Sequence, residues 1–378
     1  MKLVYISSST IPSKSANSIH VMKMCQAFSA MGHEVTLICP DVDRTKKTPL
    51  IELYDNYNVK NIFSIEKIAW IRFKGRGIVY GFIAAIKAKM IGADLIYCRN
   101  LMGCYFASIL GLKTIYESHS PINSSGEMSK RVFRSLIIKK NFKKLVVITH
   151  SLKIYYENTY PCLIGRIQVA PDAADTIGEK EKPINLPMKG QRIQVGYVGH
   201  LYAGKGMEII SKLANICPWA DFHIVGGTED DISYWRTVCI NNENLIFHGY
   251  VTHKFVSRYI LAFDVVLLPN LNEVKLNSGH DIGRWTSPLK VFEYMAAGKV
   301  IVASDLPVLR EVLQHEYNCL LCSPLNINQW RDAILRLEKN KNLRSRISLN
   351  VKKDFAKKYT WQARSHNVLK LNTVKNSD

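Results

Sequence analysis

Short apolar runs recur along the chain, and most are followed by a stretch with helical spacing. Lys2–Ile6 predicts a first strand, and a polar, Ser-rich loop runs from Ser7 to Ser18. From Ile19 to Met31 the positions Val21, Met24, Cys25 and Phe28 share one helical face. Gly32 stops that helix, and Val35–Cys39 predicts the next strand. Such a β-loop-α-β unit opens a doubly wound parallel sheet. Residues 41–75 mix Lys and Arg with aromatics and give no clear period. Gly77–Met90 predicts an amphipathic helix, with strands at Leu95–Cys98 and Thr114–Tyr116. Lys130–Lys144 predicts a basic helix, with strands at Leu145–Thr149 and Ile167–Ala170.

The stretch Thr176–Arg192 is polar, holds Pro183 and Pro187, and predicts a domain linker. The pattern then restarts. Gln194–Val198 is a strand, the loop GHLYAGKG follows it, and a helix begins at Met207. Further strands are expected at Phe222–Val225, Leu245–Phe247 and Val265–Leu268, and helices at Ile327–Leu337, Asn342–Lys358 and Trp361–Leu371. These breaks predict two domains, 1–175 and 193–355, a linker at 176–192 and a closing segment at 356–378.

The segment TSPLKVFEYMAAGKVIVAS, Thr286–Ser304, is the most informative. Ser287 suits a helix N-cap, Pro288 the first helical position, and Leu289 begins the apolar face. Gly298 fits the left-handed end of that helix, and Val300–Ala303 reads as a buried parallel strand. A helix N-terminus is a ready phosphate site. Glu293 lies about one and two-thirds turns further on, where a carboxylate can accept from sugar hydroxyls.

At 378 residues the chain exceeds one typical core, and 47% hydrophobic residues predict a soluble protein. No apolar run reaches the ~18 residues of a membrane span, and MKLVYISSST lacks a signal-peptide core. A cytoplasmic protein is expected. Nine scattered cysteines fit a reducing compartment, and the Cys319–Cys322 pair has no partner pair at zinc spacing. No cluster of carboxylates or histidines has ligand spacing. The net charge is +20, and residues 1–175 hold 24 basic against 12 acidic side chains. Residues 329–378 hold 13 against 4, whereas 176–328 are nearly neutral. This field suits an anionic partner, either a membrane surface or a nucleic acid.

In GHLYAGKG, Gly199, Gly204 and Gly206 let the backbone approach a ligand, and His200 and Lys205 can point at it. Lys205 would meet a diphosphate as a compact point charge. His119 follows a strand, outside whose carboxyl end ligands gather in open α/β sheets. The first loop has no glycine, so a dinucleotide fingerprint is absent.

In order, HEVTLICP, TIYESHS, VVITHSLK, IQVAPDAAD, VGYVGHLYAGKG, DVVLLPN, TSPLKVFEYMAAGKVIVASDLPVLREVL and YTWQARSHNVLKL resemble the retaining glycosyltransferases of family four, the group 1 glycosyltransferases. The resemblance implies an α/β GT-B fold, with two doubly wound Rossmann-like domains facing a central cleft. It implies a nucleotide-sugar co-substrate, no other cofactor and no divalent metal. Lys205 and the N–H groups after Ser287 would neutralise the leaving diphosphate, and Glu293 would bind ribose. His119 would contact the transferred sugar, and Val251 would border the base. The closing helix would cross back to the first domain.

Three departures stand out. The first carboxylate of the family's paired-Glu signature falls at Trp285, so Asp281 or backbone N–H groups near Ser287 would contact the sugar instead. His200 stands where many relatives carry Arg. Asn17 and Ser18 replace the usual glycines on the acceptor side. The expected activity is transfer to a cell-surface polysaccharide or lipid-linked glycan, peripheral on an anionic membrane. A basic nucleic-acid binder and a catalytically silent partner subunit are the alternatives; neither a nucleic-acid module nor a stacking motif is present.

Overall fold

Apolar runs without polar interruption form strands buried on both faces, and here they assemble into two separate, all-parallel sheets. The computed structural model describes residues 1–13, 15–42, 49–71, 73–187, 191–272 and 283–370. The chain divides into two compact units, Met1–Asp172 with Trp361 onward, and Ala173–Thr360.

The first unit runs β1 (Lys2–Ile6), α1 (Ala16–Ala30), β2 (Glu34–Asp41), α2 (Leu50–Asn56), β3 (Ser64–Ala69), α3 (Arg76–Met90) and β4 (Leu95–Cys98). It continues through α4 (Leu101–Ile109), β5 (Thr114–Ser118), α5 (Glu127–Ile137), β6 (Phe142–Val147), α6 (His150–Thr159) and β7 (Ile167–Val169). The sheet order is β3-β2-β1-β4-β5-β6-β7. Leu3, Val4, Tyr5 and Ile6 on β1 are fully buried at its centre. Each such aliphatic side chain contributes about 1.5–3 kcal/mol.

The second unit holds β8 (Ile193–Val198), α7 (Met207–Ile216), β9 (Ala220–Val225), α8 (Glu229–Val238), β10 (Leu245–Gly249), α9 (His253–Ala262) and β11 (Val265–Leu268). After them come α10 (Leu289–Ala296), β12 (Val300–Ser304), α11 (Pro307–Arg310), β13 (Cys319–Cys322), α12 (Ile327–Lys339) and α13 (Lys341–Lys358). Its sheet order is β10-β9-β8-β11-β12-β13. In each sheet the order reverses beside the unit's first strand, between β1 and β4 and between β8 and β11. Ligands of open α/β sheets bind outside the carboxyl ends of strands at such a reversal. The last helix, α14 (Trp361–Leu369), belongs to the first unit and packs on α1.

Several expectations need correction. The basic helix expected over Lys130–Lys144 ends at Ile137, and Phe142–Val147 is strand β6. Phe142, Leu145, Val146 and Val147 are core residues of that strand, so Lys143 and Lys144 lie on no helix. Lys144 is buried and donates to Gln168 and to the Lys370 carbonyl. Desolvation pulls its pKa down to about 8. The stretch 41–75, without a clear period in sequence, holds α2 and the edge strand β3, whose faces are only half buried. The proposed linker 176–192 lies within the second unit. There Ile177 and Leu186 pack on the core, and the Ile184 N–H donates to the Arg258 carbonyl. The units divide at Asp172 and at Thr360 rather than at 175 and 355. No helix among the described residues is long and apolar enough to cross a membrane.

Candidate active site

In the second unit the loop after β8 and the segment after β11 meet at the sheet's reversal. Gly206, the N-cap of α7, has φ +89, and a Cβ there would lie 1.9 Å from the Pro269 carbonyl oxygen. The Leu271 N–H donates to the Gly204 carbonyl at 3.0 Å. Only glycine allows this close approach at positive φ. The loop is further tied by Tyr197, whose hydroxyl donates to the His200 carbonyl at 2.7 Å.

Helix α10 begins one residue later than the sequence suggests. Pro288, not Ser287, is the N-cap, and it keeps an extended ψ of 123°. Its carbonyl accepts from the Val291 N–H at 3.1 Å. Leu289 is therefore the first helical residue, and Ser287 is buried ahead of the helix rather than capping it. Tyr294 anchors the helix to the sheet, its hydroxyl accepting the Val198 N–H at 2.9 Å.

This start places Lys290 in the first turn of α10. Its Nζ lies 4.0 Å from the centroid of the Tyr197 ring and has no hydrogen-bond partner among the described residues. Lys205 is also buried, its Nζ 5.1 Å from the centroid of Tyr202. Burial pulls the Lys205 pKa down to about 8. Burial and then the neighbouring Lys205 charge hold Lys290 well below the usual lysine range, with Glu293 only partly offsetting them. Two ammonium groups thus stand close together, desolvated and without an ion-pair partner among the described residues. Burying two amines in this way costs free energy, which a bound anion would offset.

Glu293 lies on α10 and accepts from His253 Nε2 at 2.9 Å, with about a fifth of its side chain exposed. His200 lies at the surface beside Tyr202, and partial desolvation, then the charges of Lys205 and Lys290, lower its pKa. Val251 is half-buried after β10 and packs on the core. Trp285 is half-buried, and Asp281 lies outside the described residues. The acids Asp230 and Asp231 sit in the first turn of α8, where Asp231 completes a capping box with Thr228.

In the first unit His119 follows β5 and hydrogen-bonds through Nε2 to Glu117. Glu117 is fully buried at the end of β5 and also accepts from Tyr97 and from Arg364 of α14. Burial opposes its ionisation, but Arg364 and His20 outweigh that and hold its carboxyl well below the usual range. An ionised Glu117 has no proton to share, so His119 carries its own on Nε2 and keeps a lone pair on Nδ1. Burial pulls the His119 pKa down to about 4, so the ring is neutral near pH 7. His20 Nε2 lies 3.0 Å from Glu117, and its Nδ1 bonds Asp172 at 2.7 Å.

His20, Glu117 and His119 form one group with metal-ligand geometry among the described residues. Sequence spacing gave no sign of it, because His20 lies about a hundred positions before Glu117 and His119. Arg364 already occupies the same carboxylate, which favours a fixed hydrogen-bond network over a cation there. Asn17 is exposed in the first turn of α1. Ser18 is buried, its hydroxyl donating to the Ser13 and Ser15 carbonyls, so this side chain serves the helix start. Lys290, His253, His20 and Arg364 escaped the sequence reading, since their partners are distant in the chain.

A family model described as Glycosyl transferases group 1 matches residues 178–354, and one described as Glycosyltransferase Family 4 matches 18–176. The chain belongs to the group 1 glycosyltransferases. An uncharacterised glycosyltransferase of Methanocaldococcus jannaschii is 23% identical over 374 residues, covering 91% of this chain and 90% of that one. The alpha-galactosylglucosyldiacylglycerol synthase of Streptococcus pneumoniae is 24% identical over 182 residues, 46% of this chain and 44% of its own. HepE of Anabaena, solved in complex with UDP, superposes with a TM-score of 0.72 at 13% identity, over 97% of this chain and 98% of its own. Another HepE structure holds UDP-glucose. The two parallel sheets of this glycosyltransferase are those of the GT-B class, as its motifs implied.

Proposed function

We propose that this glycosyltransferase moves a sugar, with retention of configuration, from a nucleoside-diphosphate donor to a growing cell-surface polysaccharide or lipid-linked glycan. The observation that carries this reading is the buried, uncompensated pair Lys205 and Lys290 at the carboxyl end of β8. As the bond from the sugar to the diphosphate breaks, negative charge grows on the leaving oxygen. Lys205 and Lys290, protonated once the diphosphate is bound, and the N–H groups at the start of α10 stabilise that charge in a water-poor site. This neutralisation replaces a divalent metal, so the enzyme needs no cofactor beyond its nucleotide sugar. Glu293, oriented by His253, accepts from the ribose hydroxyls. The Nδ1 lone pair of His119 accepts from a hydroxyl of the transferred sugar.

The UDP and UDP-glucose held by HepE favour a uridine donor. The name of the streptococcal relative favours an acceptor anchored in lipid. The enzyme then works in the cytoplasm, at an anionic membrane surface. Thermal-shift and saturation-transfer measurements against UDP-, GDP-, ADP- and dTDP-sugars test the donor. One sugar nucleotide should stabilise the wild type and have a much smaller effect on Lys205→Ala. Binding of none, or equal binding by the variant, overturns the reading. An inverted anomeric centre in the product overturns retention.

A further inference from the structure

Helix α3 is amphipathic in the wrong sense for a soluble protein. Its buried face is made of small residues, Gly81, Ala84, Ala85 and Ala88, together with Tyr80. A Cβ on Gly81 would lie 2.5 Å from Met102 Cβ, so α3 packs close against α4 through that face. Its large apolar side chains point outward: Val79, Phe82 and Ile83 are exposed, and Met90 is 81% exposed. Phe82 meets Phe106 of α4 edge-on at 5.3 Å, and Ile109 extends the surface across that helix. A core-facing helix normally buries its large residues. A contiguous exposed apolar surface of this kind marks an interaction site.

Charge identifies the occupant. From Lys67 to Ala93 the sequence holds six Lys or Arg and no Asp or Glu. Lys74, Arg76 and Lys89 are exposed around the apolar stripe. Pairing of two copies through this face would bring like charges together. An anionic bilayer satisfies both features, since apolar side chains enter the headgroup boundary while basic ones meet lipid phosphates. On α5, by contrast, Phe133, Leu136 and Ile137 turn inward.

We infer that the outer face of α3, extended by α4, docks this enzyme on an anionic membrane surface. The inference rests on the lipid-linked reading of the acceptor and gives it a location. Sedimentation of the full chain with phosphatidylcholine vesicles, with and without phosphatidylglycerol, tests it. Binding should require phosphatidylglycerol and weaken with salt. Lys74→Glu with Lys89→Glu should lower apparent affinity roughly tenfold or more. Phe82→Ser with Ile83→Ser should also reduce pelleting, since both side chains are exposed and outside the core. Lys353→Glu with Lys357→Glu, the same charge change on α13, should have little effect. Equal pelleting of wild type and both α3 variants overturns the inference, as does an equal loss with the α13 pair. So does light scattering that shows the serine pair splitting a dimer. Thermal shift with donor, run on every variant, reads the donor site separately, so failure of the docking surface and failure of the donor assignment are distinguishable.

Discussion

Lys290 stacks its ammonium 4.0 Å above the Tyr197 ring, buried and with no hydrogen-bond partner among the described residues. The ring offers a cation–π attraction of about 2 kcal/mol at a desolvated site, less than a buried charge costs. Lys290→Met should therefore raise the melting temperature while lowering kcat/KM at least roughly a hundredfold. Calorimetry and steady-state kinetics on one preparation check both. A variant that is less stable yet fully active would remove Lys290 from the site.

Lys205→Ala and Glu293→Gln should each abolish most transfer and leave the fold intact. Each charge-assisted contact supplies about 2–4 kcal/mol in the transition state. Near-normal turnover with the true donor would contradict the assignment.

Donor binding should take up protons. Lys205 titrates at about 8 in the free enzyme, so it is about half charged at pH 8. A bound diphosphate favours the ammonium and raises that pKa. Affinity should then fall as pH rises above 8, by about tenfold per unit for each lysine that must be reprotonated. Calorimetric titrations with UDP in buffers of different ionisation enthalpy measure the uptake directly. Proton release, or none, would mean the lysines do not meet the diphosphate.

Arg364→Ala should cost about 3–5 kcal/mol of stability, because it leaves Glu117 charged and buried without its cation. In the wild type the lowered Glu117 pKa contributes stability that is present above its ordinary value of 4.5 and lost as pH falls through the folded value. The variant lacks that contribution, so its deficit should narrow as pH drops toward and below 4.5. Urea unfolding at pH 7 and near pH 4.5 tests the sign.

Activity should survive EDTA, because Lys205, Lys290 and the α10 N-terminus supply the positive charge. Loss in chelator with recovery in magnesium or manganese would show that a metal carries the leaving group.

Most inner strands of both sheets were legible because a parallel strand buried on both faces is a short unbroken apolar run, whereas the edge strands β3 and β13 went unread. Val265–Leu268 is one strand read without error. The glycines of the β8 loop were legible because only a close backbone approach calls for them. The end of α5 was not, since Ile137, Ile138 and Phe142 continue a helical spacing into β6. Lys290 was invisible because the partners that define it, Tyr197 and Lys205, lie about ninety positions away. The His20–Glu117–Arg364 network spans most of the chain, and no local pattern encodes it.

The place of α14 reverses the order in which the halves are finished. The second unit is one continuous segment, Ala173–Thr360, whereas the first needs Trp361 onward. Arg364 reaches Glu117 across 247 positions. A chain growing at about 5–20 residues per second leaves that carboxylate without its arginine for on the order of 10–50 s. The half that emerges from the ribosome first is thus the half completed last. The nascent enzyme carries a complete amino-terminal sheet whose buried Glu117 lacks its arginine until α14 is made.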